Sequence, residues 1–338
     1  MAQGDEALAD KLIRAGAEIG TSLHAAVKGD HGKIVELMLE SGASTGTKDA
    51  EGNTALHFAA RLDRLKMVRL LLLKGADVDA IKINGATPLH LAARYSSTSV
   101  AETLLIAGAD VNLRSKKHDW CPLDYAARIG HSEILKLFIY SGADINSCVP
   151  QSGRTALDIA AGKDNVKAVD VLLDAGANIE ARDVEGYTPL HTAALHAYSE
   201  SARSLLEHGA DVNALTLSGS STLFIAAQYA GDGRAVKVVD LLLRWGADET
   251  VADNVSRRAT DVIGLKVEEG IRLADEVELV RKLLSNAPAD RAWRRRGLPV
   301  LCRAYPGRVS PGSGWVGLVV KVAELVEEGI FRNVVGYL

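Results

Sequence analysis

Apolar positions fall along the chain in paired short runs. An Ala/Leu-rich run such as Leu56-His57-Phe58-Ala59-Ala60 opens after a threonine and ends in a polar break. A second run, Met67-Val68-Arg69-Leu70-Leu71-Leu72, then carries apolar residues at the three- and four-residue spacing of a buried helical stripe. Gly75-Ala76 closes that run, an Asp-rich stretch reads as extended, and an Asn-Gly turn leads back to the next threonine. The threonine oxygen can accept from free amides at a helix start, and Pro88, Pro122 and Pro189 stand at the first helical position, where the missing N–H costs nothing. The closing glycine suits the left-handed residue that ends many helices. The pattern predicts pairs of helices about 8 to 10 residues long, which do not persist alone in water, so stacking on neighbours must supply the stability.

The unit recurs at a nearly fixed period. Aligned on the capping residue, TSLH begins at 21, TALH at 54, TPLH at 87, CPLD at 121, TALD at 155, TPLH at 188, STLF at 221 and RATD at 258, with spacings of 33, 33, 34, 34, 33, 33 and 37. Gly-Ala follows at Gly42, Gly75, Gly108, Gly142, Gly176, Gly209 and Gly246. Sequence periodicity of this kind is the mark of a stacked array.

On these residues the chain resembles ankyrin-repeat proteins: Thr-x-Leu-His at 21, 54, 87 and 188, alanine pairs such as Ala59-Ala60 and Ala92-Ala93, and Gly-Ala-Asp-Val-Asn endings. The resemblance implies an all-α solenoid of helix–turn–helix pairs with extended fingers, about seven to eight repeats and a helical C-terminal extension. The expected divisions are a half-repeat cap at 1–20, repeats one to seven at 21–257, a degenerate eighth repeat at 258–285 and a basic, amphipathic tail at 286–338. The resemblance further implies that His24, His57, His90 and His191 are structural imidazoles linking the threonine to neighbouring backbone. In repeats four, five and eight Asp124, Asp158 and Asp261 replace that histidine, Phe224 does so in repeat seven, and Cys121 replaces the capping threonine. A thiol caps poorly, losing a cap costs about 1 kcal/mol, and the fingers leading into repeats four and five each carry one extra residue, around 116–119 and 149–151, so these two repeats are expected to open first.

Composition narrows the function. Hydrophobic residues make up 47% and charged residues 24%, a globular balance, but aromatics only 5%. The net charge of −4 gives no general pull toward nucleic acid or membrane, yet it divides into about +4 over 286–338 and −8 before it. Cys121, Cys148 and Cys302 are odd in number and widely separated, which argues against a disulfide framework or zinc cluster and for a reducing compartment, the cytoplasm or the nucleus. Acidic residues at 5, 6 and 10 stand where a signal peptide needs an apolar core, and Trp315 to Val320 is too short to span a bilayer. No phosphate loop or hydrolase signature is present, and a Thr-His-Asp set repeated every 33 residues is construction, not a catalytic triad. His191 and His196 have no third ligand at a suitable spacing. The expectation is therefore no catalytic residue, no metal, no cofactor and no small-molecule substrate.

What remains is a binding surface. The family resemblance places partner contacts on a long concave face: beside the finger glycine, before the threonine, and at the two positions after the alanine pair. On this chain those positions include Arg61 and Leu62 and, as the candidate site, Arg94, Tyr95, Lys117, His118, Trp120, Arg128, Arg154, Tyr187, His196 and Tyr229. Tyr, Trp and Arg dominate binding hot spots, and Arg94, Arg114, Lys116, Lys117, Arg128 and Arg154 surround Trp120 in sequence register. The expected partner is a protein, bound by a monomer through an acidic or phosphorylated segment with Trp120 as anchor. The alternative is that Trp120 lies flat on its neighbouring finger and the cations are solvated. A scaffold is the leading reading; the other is a regulatory or substrate-recruiting subunit of an enzyme complex, docked through the tail. That tail crowds arginines near Trp293 and Tyr305 at 291–306, followed by an amphipathic stretch at 315–331.

Overall fold

The structure is a computed structural model, and it describes residues 19–230, 234–264 and 277–287. Most of the expected N-terminal cap, the 231–233 turn of repeat seven and nearly all of the 286–338 tail lie outside the described residues. The chain divides into two compact units, Met1–Asn178 and Ile179–Leu338. Among the described residues there is no strand, only isolated antiparallel bridges such as Cys148 with Thr155 and Leu215 with Ser221 at finger bases.

In the first unit the helices come in pairs: α1 (Ile19–Lys28) with α2 (Gly32–Glu40), α3 (Ala55–Arg61) with α4 (Leu65–Leu73), α5 (Pro88–Arg94) with α6 (Thr98–Ile106), α7 (Pro122–Ile129) with α8 (Ser132–Tyr140), and α9 (Ala156–Ala161) with α10 (Val166–Asp174). First helices pack on successive first helices and second helices on second helices, so each pair buries both sides against its neighbours. The alanine pairs Ala59-Ala60, Ala92-Ala93, Ala126-Ala127 and Ala160-Ala161 are fully buried, which lets the first helices approach closely. Leu71, Leu104, Phe138 and Leu172 fill the layer between first and second helices, each fully buried. Full burial of such a side chain contributes about 1.5–3 kcal/mol, and repetition of that layer stabilises helices too short to stand alone.

The helix starts are closed by reciprocal caps. Thr54 N donates to His57 Nδ1 at 3.2 Å, and Thr87 N to His90 Nδ1 at 3.1 Å. The other ring nitrogen reaches the next repeat, His57 Nε2 to Ala86 O at 3.1 Å and His90 Nε2 to Trp120 O at 3.0 Å. An Nδ1 that accepts and an Nε2 that meets a carbonyl require the neutral imidazole protonated on Nε2. In repeat four Asp124 takes over this work, accepting from Cys121 N at 2.9 Å and from Cys121 Sγ at 3.2 Å; in repeat five Asp158 accepts from Thr155 N at 3.0 Å and Thr155 Oγ1 at 2.9 Å. Asp124 thus satisfies the Cys121 amide as His57 and His90 satisfy those of Thr54 and Thr87, which keeps that half of the reciprocal cap in repeat four.

Between repeats the backbone is tied in two rows. After the Gly-Ala at 75, 108 and 142, a side-chain oxygen accepts an amide of the following repeat: Asp79 from Asp110 N at 3.2 Å, Asn112 from Asp144 N at 2.9 Å and Asn146 from Asn178 N at 2.7 Å. At the finger tips Ile83 N donates to Glu51 O at 3.1 Å and Lys117 N to Asn84 O at 3.2 Å. Cations add clamps in some repeats. Lys48 Nζ donates to Ile81 O at 2.9 Å, and Arg114 donates to Asp119 O, to Ser147 Oγ and, at 2.8 Å, to Cys148 O. Arg114, expected among the free cations around Trp120, is instead a strut between fingers four and five. Arg114→Ala is expected to cost about 2 kcal/mol, since charged hydrogen bonds are lost and carbonyls are left short of a donor. Amide exchange should rise at fingers four and five and stay unchanged at finger two.

The second unit follows the same plan with α11 (Pro189–Leu195), α12 (Ser199–Glu207), α13 (Thr222–Gln228) and α14 (Ala235–Arg244). Ser221 Oγ accepts from Phe224 N at 3.2 Å, and Phe224 itself is buried in the histidine's place. Arg182 repeats the clamp, donating to Leu215 O at 2.6 Å and Gly186 O at 3.2 Å. In repeat eight a 3-10 turn, Ala259–Val262, replaces the first helix, and helix 277–287 buries Val280, Leu284 and Ala287.

Candidate functional site

In the first unit the sequence-predicted residues gather at the ends of first helices and on finger four. Trp120 is half-buried: its ring meets Tyr125 edge-on at 5.1 Å, and His118 lies 5.5 Å from it on the finger. Arg128 sits over the Trp120 ring at 5.6 Å, one helix turn beyond Tyr125. Tyr125 in turn meets His90 edge-on at 5.7 Å, so the indole rests on a ring column whose base is the buried capping histidine. Trp120 thus meets its own repeat's first helix through Tyr125 and Arg128 and keeps part of its surface exposed. Lys116, Lys117 and His118 are exposed beside it.

Burial and hydrogen bonding divide the arginines of the first unit into two groups, apart from Arg69, which is exposed on α4. Arg114 is the strut already described, Arg64 pairs with Asp30 at 2.9 Å, and Arg154, half-buried, turns into its own repeat and donates to Asp158 O at 3.3 Å. By contrast Arg61, Arg94 and Arg128 are exposed and, among the described residues, pair with no carboxylate. Each is steered by a ring instead: Arg61 over Phe58 at 5.3 Å, Arg94 over Tyr95 at 5.8 Å, Arg128 over Trp120. Lys28, at the end of α1, continues the row with Nζ 3.9 Å from the Phe58 centroid. Lys28 and Phe58 were not singled out from the sequence, because Phe58 reads there only as a core residue. Beside the arginines Leu62, Tyr95 and Ile129 are 37%, 49% and 47% exposed.

The second unit places its three candidates differently. Tyr187 is half-buried and meets His191 edge-on at 5.7 Å. His196 is exposed after α11 with its ring 5.6 Å from Tyr198, and Tyr229 is half-buried after α13. This surface carries apolar finger tips, Val184 and Leu217, 57% and 72% exposed, and no counterpart of the arginine row at the ends of α11 and α13.

Burial pulls His57, His90 and His191 down to about 4, and it pushes the Cys121 thiol up to about 12, with the Asp124 carboxylate adding to the rise. A thiol so shifted is a poor nucleophile and ligand. Among the described residues no group of three or more His, Cys, Asp or Glu is placed to hold a metal ion, and no helix is long and apolar enough to cross a membrane.

Comparison with known proteins agrees with this architecture. A family model described as ankyrin repeats (3 copies) matches at residues 1–82, 23–115, 73–149, 123–216 and 180–253. Among solved structures the chain is similar to the crystal structure of the human ASB11 ankyrin repeat domain, with 25% identity, 70% of this chain and 98% of that chain covered, and a TM-score of 0.60. A search of curated proteins returned no match. With stacked helix pairs, histidine-closed caps and family matches across more than half its length, the chain belongs to the ankyrin-repeat family.

Proposed function

We propose that the chain is a non-enzymatic scaffold that binds an acidic protein segment through the finger and first-helix face of its first unit. Ankyrin repeats indicate a protein–protein interaction domain in general. The observation that supports this particular surface is the contrast among the arginines: those with a structural task are engaged, whereas Arg61, Arg94 and Arg128 are exposed, unpaired among the described residues and held over rings. An ordered, unpaired cation loses little side-chain freedom on meeting a carboxylate. Trp120 supplies the anchor, half-buried and backed edge-on by Tyr125. The free thiols of Cys121 and Cys148 suit the reducing, cytoplasmic or nuclear setting that this reading assigns.

The test begins with a displayed random-peptide library panned against the full chain, followed by titration of the enriched peptides. Enrichment of acidic sequences is expected, with Trp120→Ala weakening them about thirtyfold, the effect of losing a hot-spot residue. Arg128→Glu should slow association and flatten its salt dependence. Enriched peptides that are not acidic, or that bind both variants as tightly as the unaltered chain, would remove this assignment.

A further inference from the structure

The unpaired arginines are spaced as well as exposed. Arg61 and Arg94 are the last residues of α3 and α5, and Arg128 is the penultimate residue of α7, separated by 33 and 34 residues, so they hold nearly one register position on three helices that pack directly on one another. Packed helices lie about 8–10 Å apart. A peptide in the polyproline II conformation advances about 3.1 Å per residue and returns to the same face every third residue, so three residues cover roughly one repeat. Leu62, Tyr95 and Ile129 each follow one of these arginines by one residue and are exposed.

We propose that this row reads a peptide in the polyproline II conformation whose carboxylates recur at every third position, with apolar side chains between them falling on Leu62, Tyr95 and Ile129. The proposal rests on the scaffold reading above and specifies its ligand. Carboxylates suit the row better than phosphates because each guanidinium stands one repeat from the next. A single charge is matched by one arginine, whereas a phosphate, with nearly two charges, is best held by several converging donors. A peptide suits it better than a nucleic acid because the apolar positions interrupt the cations and the rest of the first 285 residues is net acidic.

The experiment uses the full chain and fluorescein-labelled synthetic peptides at physiological salt, read by anisotropy. One peptide carries three Glu at every third position with Leu and Ser between; its control has the same composition with the three Glu contiguous. The spaced peptide is expected to bind about tenfold more tightly, and Arg94→Ala to erase that preference while Arg203→Ala, in the second unit, keeps it. Circular dichroism confirms that each variant is folded. Equal affinity for the two peptides overturns the spacing while leaving the acidic-segment reading in place. No binding of either peptide by the folded chain overturns both, and equally tight binding of a deoxythymidine oligomer overturns the peptide assignment.

Discussion

Acidification from about pH 7 to about pH 4 is expected to lower the urea midpoint of the array steeply, and more than most single substitutions do. His57, His90 and His191 are held neutral by burial, which pulls each from the ordinary 6.5 down to about 4. Their stabilising contribution is complete above 6.5 and is lost as pH falls through 4, because in that window the unfolded chain takes up the protons first. A shift of that size corresponds to on the order of 3 kcal/mol per ring. The structural cause is visible: a proton on Nδ1 would abolish the acceptor for the amides of Thr54, Thr87 and Thr188. Asp124 works in the opposite direction. Burial raises it from 3.8 to about 6, so its contribution is complete below 3.8 and lost as pH rises through 6. It offsets roughly one histidine, and three are present at that strength. Circular dichroism in urea at pH 7, 5.5 and 4.5 measures the balance, and a midpoint that stays level across that range would contradict the neutral, buried imidazoles. Replacing His90 by Asp, the solution already used in repeat four, should shrink the acid-driven loss.

The second large effect concerns one glycine among many. Gly85 and Gly108 both have positive φ, +76° and +91°, but a Cβ at Gly108 meets nothing within 4 Å whereas one at Gly85 falls 2.4 Å from Lys116 N. Gly108→Ala should therefore cost only the left-handed strain, about 1–2 kcal/mol. Gly85→Ala adds overpacking against main chain that cannot rotate away, for a total of about 3 kcal/mol or more. Relief requires moving finger four, which breaks the bond from Lys117 N to Asn84 O and displaces the Lys116–His118 stretch from beside Trp120. The Gly85 variant should thus lose stability and peptide affinity together, while the Gly108 variant loses some stability and retains affinity. Denaturation midpoints and anisotropy titrations on the two proteins separate these outcomes.

The architecture was legible in the sequence because its determinants are local and repeated. Thr87, Pro88 and His90 act within one helical turn, and the Gly-Ala endings act on the turn they close, so a period is enough to find them. The duties of the arginines were not legible. Arg114 and Arg182 donate to carbonyls about one repeat away, at Cys148 and Leu215, and a bond to main chain leaves no trace in the identity of its acceptor. By residue type Arg114 and Arg128 look alike, yet one is a strut and the other an exposed cation over an indole. Cys121 is legible only with its partner: the thiol is a weak capping group, and Asp124, which accepts from its amide and its Sγ, is itself the residue that departs from the histidine pattern.

The finger tips spend main-chain groups on one another, Ile83 N on Glu51 O and Lys117 N on Asn84 O. A visiting strand cannot take those places by β-augmentation, the mode in which affinity comes from generic backbone pairing. Under the proposed function, recognition on this face falls to side chains that the stack does not require, so exchanging a few of them is expected to change the ligand without asking the chain to refold.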